Sequence, residues 1–146
     1  MNKWERMIAS GGSSINPKDY PWIVPPPGFR PTYRPGGPVQ ISGAPGKQTL
    51  LETIKVMPGY KGWIKRMGLE SGDWDQVGFQ IFIGGAPADE LGLIRTPIGS
   101  PSTPEDVYIE VNPNMPVEIY AINLLNVAGP VPVRYYLGGW MYREGQ

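Results

Sequence analysis

From residue 48 onward the chain alternates apolar and polar positions with the period of two that half-buried strands require. Residues 77–83 (VGFQIFI) are the clearest case, with Phe79, Ile81 and Ile83 on one face. In 117–124 (VEIYAINL), Val117, Ile119 and Ala121 oppose Glu118, Tyr120 and Ile122. Residues 49–57 (TLLETIKVM), 60–69 (YKGWIKRMGL), 107–111 (VYIEV) and 131–142 (VPVRYYLGGWMY) read as further strands, the last interrupted at Gly138-Gly139. Residues 91–98 read as a short strand or a covering loop. Pro58-Gly59 and the stretches 71–75, 84–90, 99–106, 112–116 and 126–130 hold the Gly, Pro, Asn and Asp that turns need. Six or seven short strands punctuated in this way predict an all-β fold, an antiparallel β-sandwich over residues 48–146 that is jelly-roll-like.

Residues 1–47 follow a different rule. Trp4, Met7 and Ile8 recur at helical spacing, which allows a short helical turn at 2–9, and Gly11, Gly12, Ser13 and Ser14 make a joint after it. Eight prolines then fall between Pro17 and Pro38. Proline fixes φ, removes an amide donor and pushes its predecessor into extended geometry, so this stretch forms neither a helix nor a central strand. Tyr20, Trp22, Ile23, Val24, Phe29 and Tyr33 are too apolar for a solvated linker. The expectation is an extended Pro-rich N-terminal arm carrying aromatic anchors, laid either on its own domain or on another subunit. Aromatic residues and arginine dominate interface hot spots. The expected partner-binding residues are therefore Trp4, Tyr20, Trp22, Phe29, Arg30, Tyr33 and Arg34. Deleting residues 1–47 is expected to leave a folded body.

Composition sharpens this division. Gly and Pro number 20 and 18, which approaches the level of disordered chains, but five Trp, eight Tyr and three Phe argue for a packed core. The net charge is zero, yet residues 1–47 carry six Lys/Arg against two Asp/Glu, while residues 48–146 carry seven against eleven. A basic arm on an acidic body fits an acidic protein surface, and is too sparse for nucleic acid. No apolar run is long enough to span a membrane, and no signal-peptide pattern opens the chain, so the expectation is a soluble intracellular product or a particle component.

The absence of His and Cys removes imidazole bases, thiolate nucleophiles, disulfides and the usual zinc, copper and haem ligands. Asp73-Trp74-Asp75 is the best carboxylate pair for a calcium loop, but too few oxygens surround it. Asp capping backbone amides, with Trp74 covering the core edge, is the better reading. Asp89-Glu90 and Glu105-Asp106 are acidic pairs of the kind any all-β chain offers by chance. Trp63, Trp74 and Trp140, with Tyr60, Tyr135, Tyr136 and Tyr142, fit a core or an interface better than a sugar platform. Lys61, Lys65, Arg66 and Arg134 fit a solvated face or inter-subunit salt bridges better than a nucleic-acid stripe. No enzyme and no cofactor are expected.

The stretch from Val56 to Trp140, including MPGYKGWIKRMGLES, DWDQVGFQIFIGGAPADEL and VNPNMPVEIYAINLLNVAGPVPVRYYLGGW, resembles small β-sandwich structural proteins of tailed bacteriophages. The shared elements are a PxGYxGxIxxxG strand pair, an F-x-I-x-I-(N/G)-G-x-P hairpin, a VxIxAxN strand and a final VxxRxxGW strand. The resemblance implies a capsid decoration (cement) protein on the virion exterior, bound to the major capsid protein or another virion protein. A homo-oligomer, with a trimer favoured, is the expected state. The alternatives are a head-neck or tail adaptor anchoring a fibre, and a carbohydrate-binding β-sandwich module.

Overall fold

The structure, a computed structural model, describes residues 20–23, 25–88, 93–94, 98–125 and 127–144. Trp4 and the expected helical turn at 2–9 lie outside the described residues. The strands are β1 (Arg30–Gly43), β2 (Gln48–Ile54), β3 (Tyr60–Ser71), β4 (Val77–Ile83), β5 (Ala86–Pro87), β6 (Leu93–Ile94), β7 (Glu105–Val111), β8 (Val117–Asn123) and β9 (Val127–Arg143). All pairings are antiparallel, and no helix occurs among the described residues. One sheet has the order β1-β9-β3-β7 and the other β2-β8-β4-β5, with β6 also pairing to β4.

Alternation explains which faces meet. Val117, Ile119 and Ala121 on β8 and Val77, Phe79 and Ile81 on β4 are fully buried, as are Ile64, Met67 and Leu69 on β3 and Val133 and Leu137 on β9. These side chains form one cluster between the two sheets, the arrangement of a β-sandwich. Each fully buried aliphatic or Phe side chain contributes about 1.5–3 kcal/mol relative to exposure. Pro58-Gly59 forms its expected turn: Tyr60 N–H donates to the Met57 carbonyl at 3.0 Å and Gly59 has φ 85°, a value L-residues avoid.

Two expectations are corrected. The sandwich begins at Arg30 rather than at residue 48, because β1 pairs with β9 from Arg30↔Met141 to Gly43↔Val127. Pro31, Pro35 and Pro38 are tolerated because β1 is an edge strand, where one row of amides needs no partner. The same prolines discourage further strand addition there. Second, β9 runs unbroken through Gly138-Gly139. The irregularity lies in β3, between Ile64 and Arg66, where Lys65 is the extra residue. Gly139 is required by packing: a Cβ there would collide with the Trp63 carbonyl, so its absence lets β3 and β9 pair closely.

The two sheets are also tied by polar contacts along one side. Tyr135 is an inward residue of β9, and its hydroxyl donates to the Leu51 carbonyl at 2.9 Å and lies 3.2 Å from Glu52 Oε2. Arg34 Nε approaches Glu52 at 4.0 Å, a half-exposed pair that adds little.

Candidate functional site

Since Ile64 and Met67, Ile109 and Val111, and Val133, Tyr135 and Leu137 point inward, their neighbours in sequence face outward. Trp63 and Trp140 therefore stand as a direct cross-strand pair on the outer face of the first sheet, with Tyr136 further along β9. Glu110, opposite Trp63 on β7, shares this face with Tyr108 and Asp106.

Residues 20–23 lie across this aromatic layer. Trp140 Nε1 donates to the Pro21 carbonyl at 2.7 Å. Trp22 packs on Trp63 with ring centroids 5.9 Å apart, and Tyr20 meets Trp22 edge-on at 5.8 Å. Tyr20 is left only 7% exposed. Two expected partner-binding residues, Tyr20 and Trp22, are thus held by this chain's own sheet. Phe29 (43% exposed) and Tyr33 (61% exposed) are not, and Arg30 and Arg34 are likewise exposed on β1. Trp4 lies outside the described residues.

Between this strap and the β7 edge lies a groove of about 810 Å³, lined by Trp22, Ile23, Trp63, Lys65, Asp106 and Tyr108. A smaller concavity of about 240 Å³ shares Ile23, Lys65 and Asp106 and reaches Tyr33, Tyr136 and Trp140. The bulge in β3 carries Lys65 over the Tyr108 ring, with Nζ 3.5 Å from its centroid and 6.0 Å from that of Trp140. Burial lowers the Lys65 pKa, partly offset by the Asp106 charge. Beside it, Lys61 is bonded to Glu110 at 2.6 Å, which raises its pKa, and Arg66 pairs with Asp106 at 3.5 Å. Lys61 and Arg66 therefore make salt bridges within the chain.

Other candidates resolve locally. Asp73 uses both carboxylate oxygens inside its loop, accepting from the Asp75 amide at 3.0 Å and from Gln76 Nε2 at 2.7 Å. Trp74 covers Phe79 at 5.5 Å. Asp89 and Glu90 fall outside the described residues. Glu105 and Asp106 open β7, and Asp106 is engaged by Arg66.

Sequence reasoning missed Tyr108 and the special place of Lys65. The signal for Tyr108 was its alternation with Ile109 and Val107. No local signal could have put Lys65 on it, since that depends on pairing β3 with β7 and on the bulge. Comparison of the chain with family models, curated proteins and solved structures returned no match in any of the three.

Proposed function

We propose that this domain is a jelly roll acting as a non-enzymatic structural protein on the outside of a viral head, in the manner of a decoration protein. The topology is supported by strand order. β5 and β6 lie along the same edge of β4, at Phe82↔Pro87 and Phe79↔Ile94, and count as one interrupted strand. The sheets then hold the first, eighth, third and sixth strands, and the second, seventh, fourth and fifth. That is the order of two interlocked Greek keys, an architecture used by viral capsid and lectin domains. Fold alone does not assign function, so the reading needs a surface.

The observation that carries it is the edge at 29–34. Phe29, just before β1, and Tyr33 on it are exposed aromatics interleaved with Arg30 and Arg34, and the prolines of β1 oppose strand addition. Such a row docks through side chains into pockets and carboxylates on a partner. Repetition over many copies, as in a homo-oligomer on a symmetric shell, multiplies weak single contacts. The partner in this reading is a major capsid protein or another virion protein. The Pro21–Ile23 strap lies on its own sheet, one of the two placements open to the arm, and in this reading stiffens that sheet.

The test is binding of purified full-length chain to particles lacking it, followed by copy counting. Saturable, high-copy decoration, lost when Phe29 and Tyr33 are both replaced by Ser, supports the reading. Binding at only a few copies per particle assigns the adaptor role instead. Equal binding by the double variant removes this edge as the docking surface.

A further inference from the structure

We infer that the groove between the strap and the β7 edge is a saccharide-binding site whose ligand carries a carboxylate. Its size is that of ordinary small-ligand sites, about 300–1,000 Å³. Its walls are rings. Trp22 and Trp63 stand 5.9 Å apart and tilted by 53°, and Tyr108 faces them, 61% exposed. The indole N–H groups of Trp63 and Trp140 point elsewhere. Trp63 Nε1 reaches the Tyr142 hydroxyl at 3.5 Å, and Trp140 Nε1 is bonded to Pro21. Trp63 and Trp140 therefore turn their donors away from the groove, whose lining of Trp22, Trp63 and Tyr108 offers aromatic surface on which the C–H face of a sugar ring stacks.

Charge selects among ligands. Glu110 is occupied by Lys61 and Asp106 by Arg66. Lys65 makes no ion pair within 4.0 Å among the described residues, and its ammonium is held by the rings of Tyr108 and Trp140. A cationic ligand meets this resident charge and is repelled. A neutral sugar stacks but leaves Lys65 unpaired, whereas a carboxylate completes it in a partly dry setting. A Pro-rich peptide also favours aromatic grooves. Here, however, the chain's own Pro21 already takes the adjoining Trp140 surface, and such a peptide offers Lys65 no anion. The groove adjoins the edge proposed for particle docking, since the smaller concavity reaches Tyr33, but neither Phe29 nor Tyr33 lines it, and the variants tested here leave both in place.

The experiment titrates the full chain by Trp fluorescence with tetragalacturonate and sialyllactose. Methyl-esterified tetragalacturonate, lactose and a synthetic proline-rich peptide free of Trp, Asp and Glu are the comparison probes. Saturable quenching by at least one acidic saccharide is expected, with its neutral counterpart about tenfold weaker or more. Tyr108→Ala and Lys65→Met each weaken the acidic probe about tenfold, and Lys65→Arg restores most of the loss. Thermal melts of the three variants check that each is folded. The inference is overturned if neither acidic saccharide binds, if the neutral counterparts bind as well, if the folded variants bind like the parent, or if only the peptide binds.

Discussion

Trp140 donates its indole N–H to the carbonyl of Pro21, 119 residues earlier in the chain, across 2.7 Å. This one bond, with the Trp22–Trp63 contact beside it, fastens the strap to the outer face of the first sheet and forms one wall of the groove.

Trp140→Phe keeps a smaller aromatic ring and removes the donor. It is expected to destabilise the chain by about 1 kcal/mol, as for a typical hydrogen bond. Most of the effect should be local, because the strap can open without the sandwich unfolding. Chymotryptic cleavage after Trp22, faster in the variant while the urea midpoint moves little, is the expected result.

Gly139→Ala places a methyl group against the Trp63 carbonyl, backbone that cannot move without parting β3 from β9. This variant is expected to lose several kcal/mol, about 3 or more, or to accumulate as insoluble protein. Gly129→Ala meets nothing within 4 Å and should melt within a few degrees of the parent. Parallel thermal melts make the comparison.

Tyr135 titrates above its ordinary value of 10.0, first because of burial and then because of the Glu52 charge and hydrogen bond. A raised pKa means that the folded state keeps a proton the unfolded chain releases. This contribution to stability is whole below the unfolded value and is lost as pH rises through the folded one. Tyr135→Phe removes that loss along with the bonds to Leu51 and Glu52. The variant should be less stable near neutrality by about 1 kcal/mol. Urea denaturation from about pH 8 to about pH 11 should show the gap to the parent narrowing as pH rises.

Deleting residues 1–29 removes the strap and leaves both sheets, so a cooperative melt at lower temperature is expected. Deleting residues 1–47 also removes β1, including the buried Ile41 and Thr32, and bares the edge of β9. That product should lack a cooperative transition and aggregate, contrary to the sequence-based expectation of a folded body. Far-UV circular dichroism on heating separates the two outcomes.

What the sequence by itself determined was local. Strand β4 matches its expected span, and the inward faces of β4 and β8 follow from alternation, because side chains on a strand change face at every residue. The Pro58-Gly59 turn likewise needs only its own residues. What the tertiary structure alone decided was partnership. The proline run at 31–38 reads as hostile to strands until β9 gives it one side to pair and leaves the other free. Strand order and the groove have the same origin. Trp22, Trp63, Lys65 and Tyr108 are separated along the chain and meet only because hydrogen bonding sets β9, β3 and β7 side by side. Period-two patterning tells a residue which way to face, while non-local pairing chooses its neighbours.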